Sequence, residues 1–369
     1  MRRSKIKNTI GMFDLLKGVI MLMVMLVHTY GLYDFLNGHG PLYSFLTYVT
    51  SGPLKMFAEA MMPVLFILGG YGLRKTTLQK CVKKQAGLLL IPYAITGLIS
   101  VILTLFSFYI RYRNLREAVY KALELIGGFV LGFPKTKEAF GVTISWCGPA
   151  WFLLAMFVSI VIFNQLLNRF SGSRLLIVSF VAACVGWGLS FIPIVPWCLS
   201  QGLVATLYVC LGYFAKKEKI LTERLAGNFK TIAAIVVILL VSLFSCQFGE
   251  NNLADSEYVF GPFSIVLNGL LGIVIIYFFL HLNRFNGKIS EWIRTIGRYS
   301  LYILCIHTIE FMSFGGILQM DFVGVFKGSV HLRNLIIFVV RTVIVVATTM
   351  GYAWIKNKYM NKMQREEIG

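Results

Sequence analysis

Ten apolar runs, each near 20 residues long, leave this chain few ways to fold. They lie near 11–33, 56–74, 85–110, 148–168, 174–193, 196–214, 230–248, 262–282, 297–318 and 334–356. About 20 consecutive apolar residues in a helix match the hydrocarbon thickness of a bilayer. No water reaches the backbone there, so a helix that satisfies its own N–H and C=O groups is favoured. Hydrophobic residues make up 57% of the 369 and charged residues only 14%, with a mean hydropathy of +0.74. A soluble domain carries roughly 25% charged residues. The predicted class is all-α: a polytopic transmembrane helix bundle of about ten helices, forming one integral membrane domain over 1–369. The third run is long enough to tilt or break. A tight Pro193–Pro196 turn is expected between the fifth and sixth. Residues 119–133, VYKALELIGGFVLGF, have helical spacing and read as an interfacial or re-entrant helix.

The net charge of +19 raises the question of nucleic acid. A nucleic-acid surface gathers its basic residues into one patch with aromatic partners. Here they fall in short clusters between apolar runs, as the positive-inside rule arranges them, so no nucleic-acid partner is expected. With ten spans, 24 of the 35 Lys and Arg fall on the side of the N-terminus and 9 on the other. That asymmetry predicts a multi-pass protein of the cell membrane with both termini cytoplasmic. The segment 247–258, QFGENNLADSEY, has no basic residue, as expected of an external loop. The first run continues past His28 without a small-residue cleavage site, so it reads as a retained span rather than a signal peptide. The seven cysteines show no CxxC pair and no zinc-like spacing, so neither a disulfide framework nor a metal is expected.

An ionisable group at the centre of a span costs at least about 2.5–3.5 kcal/mol, so each one calls for a reason. Lys17 and His28 are eleven residues apart, about three helical turns, and Asp14 precedes Lys17 by three. All three share one face of the first span, which predicts a polar cavity with His28 toward its outer half. A plain Asp14–Lys17 ion pair and a packed, hydrogen-bonded His28 would explain the same residues. His307 and Glu310 are also i,i+3 neighbours, read either as a His oriented by a carboxylate or as a structural hydrogen bond. Arg341 reads as the cation that neutralises Glu310, and Glu59 as a local partner of Lys55.

Several segments resemble the membrane acyltransferase-3 family, which includes bacterial fucose and polysaccharide O-acetylases. FDLLKGVIMLMVMLVHTYG (13–31) resembles its opening helix, with Lys17 and His28 at the family spacing. MMPVLFILGGYGLRK (61–75) resembles the second span, and KKQAGLLLIPY (83–93) the basic start of the third. GPAWFLLAMF (148–157) and IGRYSLYILCIHTIEF (296–311) resemble two later helices, in family order. Gly69 stands where the family usually has Ser, and Met61 where a His often precedes Met-Pro. Gly87 takes the place of the second Arg of an Arg-x-x-Arg motif whose first position is Lys84. The resemblance implies an O-acyltransferase that carries an acyl group, acetyl in the simplest case, from cytoplasmic acyl-CoA. The acceptor is a hydroxyl of a cell-surface or exported glycan or related molecule. It implies His28 as general base, with His307 and Glu310 orienting the base or the acceptor. Lys17, Arg74 and Lys84 would then attract the anionic donor, acetyl-CoA, with Asp14 beside Lys17 among the donor-binding residues. The competing readings are a small-molecule transporter or flippase, with the membrane charges as its path, and a catalytically silent family member.

Overall fold

The computed structural model describes residues 11–29, 41–139, 141–221, 229–315 and 330–366. In chain order the helices are α1 (Asp14–Val27), α2 (Pro41–Gly72), α3 (Leu78–Gln85), α4 (Ile91–Tyr112), α5 (Leu115–Leu131), α6 (Trp151–Arg169) and α7 (Gly172–Leu189). Then follow α8 (Leu199–Lys217), α9 (Phe229–Ser245), α10 (Pro262–Leu282), α11 (Lys288–Arg298), α12 (Ser300–Glu310) and α13 (Val330–Glu366). A small antiparallel hairpin, β1 (Lys137–Ala139) with β2 (Val142–Ile144), joins α5 to α6.

A helix occupies each of the ten expected places. Six stretches among the described residues are long and apolar enough to cross a membrane: 52–72, 78–112, 148–169, 172–189, 262–282 and 332–356. The helices α9 and α12 are apolar but shorter, and α1 spans 14 residues. Helix α8 is long enough at 19 residues yet carries Ser200, Gln201 and Thr206 on buried positions. Its neighbours are α2, α6 and α7, so protein rather than lipid surrounds it and its polar groups bond internally. Ser200 Oγ donates to Gly186 O at 2.7 Å and Thr206 Oγ1 to Gly202 O at 2.9 Å.

Close helix crossings hold this centre together. A Cβ on Gly212 would lie 1.9 Å from Ile67 O, and one on Gly70 would lie 2.0 Å from Val209 O. Only glycine lets α2 and α8 approach this closely, the way small residues bring membrane helices together. Helix α4 is built the other way round from a soluble amphipathic helix. Leu98, Ile102 and Phe106 are exposed, while Thr96, Ser100, Thr104 and Ser107 are buried against the bundle.

One expectation about connections is corrected, and two spans gain detail. The third span, expected to tilt or break, does not break: α3, a π-turn at Ala86–Leu90 and α4 run on as one 35-residue stretch. The fifth and sixth spans are joined by residues 190–198 rather than by a four-residue turn, because Trp197 and Cys198 adopt left-handed conformations before α8 begins. The ninth expected span is occupied by α12 and the π-turn Phe311–Gly315, its residues 316–318 lying outside those described, and α11 precedes it, meeting α12 at a bend at Tyr299. In the long segment after α4, the expected helix is present as α5 and packs against α4, where Gly97 accommodates the Phe129 ring.

Candidate functional site

Helix α1 delivers its residues to two separate places. At its start, Asp14 is buried and takes Lys17 Nζ at 2.8 Å, with Arg298 of α11 at 3.7 Å. The crossing of α1 and α11 is tight: a Cβ on Gly297 would sit 1.8 Å from Asp14 O, and one on Gly18 would sit 2.0 Å from Ile293 O. Asn283 Nδ2 donates to Met12 O at 2.6 Å and Phe13 packs edge-on to Tyr71 at 5.2 Å, which fixes this end of α1 further. The Asp14–Lys17 pair is thus a local ion pair at the α1–α11 crossing. Arg74, before α3, and Lys84, on it, are both exposed.

At the other end of α1, His28 is the C-cap, its N–H donating to Val24 O at 3.1 Å. Its Nδ1 lies 3.2 Å from Nε2 of His307 on α12. One turn further along α12, Glu310 turns Oε2 toward His307 Nδ1 at 3.6 Å. That distance is too long for a hydrogen bond but short enough for direct charge interaction. His307 Nδ1 is buried with no hydrogen-bond partner, so this carboxylate oxygen is the acceptor it faces. Arg341 of α13, with no exposed surface, straddles the same carboxylate, its Nε 3.1 Å from Oε1 and 2.9 Å from Oε2. Its Nη1 donates to Thr29 Oγ1 at 2.8 Å and to His28 O at 3.2 Å. Arg341 therefore grips the end of α1 and the end of α12 at once.

Aromatic rings enclose this chain of groups. Phe311 lies 5.1 Å from the His28 ring and 5.3 Å beneath the Arg341 guanidinium. Trp146 stands 6.3 Å from His28 and edge-on to Phe311 at 5.7 Å. Backbone bonds on either side position it, Ser145 N to Glu124 O at 3.2 Å and Cys147 N to Phe133 O at 2.9 Å. Gly148, at φ +60°, lets this segment lie against the end of α12 and the residues after it, where a Cβ would meet Met312 Sδ at 2.6 Å and Thr308 Cγ2 at 3.4 Å. Below Glu310 the helix widens into a π-turn, Phe311–Gly315. The buried polar stripe of α4 meets that turn: Ser107 Oγ donates to Ser313 O at 2.8 Å, and Ser313 Oγ to Ser100 O at 3.2 Å.

The geometry orders the protons. Glu310 favours the tautomer of His307 that carries its proton on Nδ1. His307 Nε2 then accepts from His28 Nδ1–H, and the free lone pair of the chain is left on His28 Nε2. Arg341 balances Glu310, so the two rings are embedded in a neutral ion pair rather than beside a lone charge. Such an arrangement can take up and return one proton at His28, the work of a general base.

Of the residues singled out in the sequence, His28, His307 and Glu310 come together; Asp14 and Lys17 form a second cluster, and Arg74 and Lys84 join neither. The expected pairing of Arg341 with Glu310 is present, but its grip on Thr29 and the backbone of His28 was not foreseen. Nor was Trp146. A lone Arg within an apolar run was the available signal for the first; nothing in the local pattern marked the second. Glu59 accepts from Asn251 Nδ2 at 2.8 Å, while Lys55 Nζ donates to Cys246 O and Gly249 O at 2.7 and 2.9 Å. Both residues thus tether the loop that follows α9. Among the described residues no group of three His, Cys, Asp or Glu is placed to hold a metal ion.

The model of the acyltransferase-3 family, described as an acyltransferase domain, matches residues 10–356. No curated protein and no solved structure matches the chain. The family match takes in every helix from α1 through the apolar part of α13, and with them His28, His307, Glu310 and Arg341. The chain belongs to the acyltransferase-3 family and is a multi-pass membrane acyltransferase.

Proposed function

We propose that the protein is an O-acyltransferase that moves an acyl group, acetyl in the simplest case, from acyl-CoA to a hydroxyl of a cell-surface or exported glycan or related acceptor. The observation that carries this reading is the Arg341–Glu310–His307–His28 chain, which ends on a ring nitrogen free to act as a base. A hydroxyl is a weak nucleophile until its proton is removed, and His is suited to that near neutral pH. His28 Nε2 takes the acceptor proton as the oxygen attacks the thioester carbonyl. The tetrahedral adduct collapses with cleavage of the carbon–sulfur bond, and the proton returns from His28 to the departing thiolate. The product is an ester and free CoA, so atoms and charge balance without a covalent enzyme intermediate. Glu310 supports the positive charge that His28 gains by acting through His307.

In this reading both termini are cytoplasmic and the exposed Arg74 and Lys84, with Lys17, draw the anionic donor to that face. The test is transfer of labelled acetyl from acetyl-CoA to an acceptor extract by membranes containing wild type or His28→Ala. Wild type is expected to label the extract, and the variant to lose that label. Equal labelling by a variant that is inserted and folded would remove His28 from the role.

A further inference from the structure

A cavity of about 270 Å³ opens at the end of the bundle opposite Trp146, where the link from α2 to α3, the end of α6, the start of α7 and the end of α8 converge. Three cations border it, Lys75, Arg169 and Lys217, each from a different connection, together with Ser171 and the Tyr213 ring. None of the residues lining it is acidic, and among the described residues none of the three cations makes an ion pair.

The site is built rather than incidental. Asn164 and Asn168 of α6 both donate to Thr76 O, at 3.0 and 2.9 Å, and Thr76 N donates back to Asn164 Oδ1 at 3.2 Å. These bonds fasten the backbone next to Lys75 onto α6 beside Arg169. Ser171 is the N-cap of the 18-residue α7 but gives no side-chain hydrogen bond to the first turn. The N–H groups at that helix start therefore add their partial positive charge to the cavity wall without a protein acceptor. The positive-inside rule explains basic residues in each of these connections, but it does not gather three of them around one opening. With no acid in the lining, the opening carries a net positive potential that favours an anion.

We propose that this cavity binds a phosphate group, carried by the headgroup of an anionic lipid or by a soluble nucleotide. Cations from several helices around a helix N-terminus are the combination that phosphate groups select. The proposal concerns binding alone and holds whichever acceptor the enzyme uses.

The full chain in nanodiscs tests it, with two probes. One is phosphatidylglycerol added to a neutral phosphatidylcholine bilayer; the other is adenosine bisphosphate in solution. Binding is read as the rise in melting temperature and as lipid or nucleotide retained in native mass spectra. The variants are Lys75→Gln/Lys217→Gln and, separately, Arg169→Gln, with Lys230→Gln, at the start of α9, as a control for simple loss of charge. At least one probe should bind wild type and the control alike, weakening about 10-fold or more in the double variant. Loss confined to the lipid probe identifies the headgroup as the source, and loss confined to the nucleotide identifies the soluble one. If the double variant fails to fold, Arg169→Gln alone carries the test. The proposal is overturned if wild type binds neither probe, or if a folded variant binds both as tightly as wild type does.

Discussion

Replacing Glu310 by Gln would leave the Arg341 guanidinium buried with no carboxylate against it. Removing one partner of a buried ion pair costs about 3–5 kcal/mol, far more than the intact pair contributes over an apolar replacement. Glu310→Gln should therefore lower the melting temperature sharply, while Glu310→Gln/Arg341→Met should recover much of the loss. Neither variant should recover turnover, because the double change restores packing and not the ordering of His307. Thermal melting in detergent, read beside acyl transfer, separates the two effects. At this scale the sequence was partly legible. The spacing of His307 and Glu310 on one helix could be read directly, and an Arg in an apolar run asked for a carboxylate. The contact between His28 and His307 spans 279 positions of chain and comes from helix packing that no local pattern encodes.

The close crossing of α1 and α11, at Gly18 of the one and Gly297 of the other, helps hold His28 in register. Gly297→Ala would drive a methyl group into Asp14 O and push the helices apart. Overpacking of this kind costs about 1–3 kcal/mol. The shift is carried along α1 to His28, so activity should fall more than stability does. Gly287→Ala, where a methyl group meets nothing within 4 Å, should be close to silent in both measurements. The loop after α9 supplies a pH test. Burial pushes the Glu250 carboxyl up to about 7, with repulsion from Glu257, Glu59 and Asp255 adding to it and Lys55 opposing. The folded loop thus holds a proton that the unfolded chain has already lost. Its contribution to stability is complete below the ordinary glutamate range and disappears as pH rises through about 7. Melting temperature should decline from about pH 5 to pH 8, and the decline should be shallower in Glu250→Gln. Elements of this kind were unevenly legible. Long apolar runs fixed where helices occur, but the bend at Tyr299, the left-handed Trp197 and Cys198 and the short hairpin depend on packing beyond their own residues.

Across the whole molecule, the two ends of the bundle carry different chemistry. One end gathers basic residues around an open cavity, and the other encloses two histidines beneath Trp146. Helix α1 runs from the Asp14–Lys17–Arg298 cluster at its start to His28 at its end. The bundle's centre, α8, is surrounded by protein and carries buried polar residues, so apolarity alone does not count it, while α1, α9 and α12 fall short in length. The central claim is that His28 is the base that drives acyl transfer. Its most direct test is release of free CoA thiol from acetyl-CoA by the purified protein in nanodiscs, with an acceptor extract supplied. Wild type should release thiol in an acceptor-dependent way, and folded His28→Ala should be slower by about 10²–10⁴-fold. Thiol release by folded His28→Ala at the wild-type rate would contradict the account.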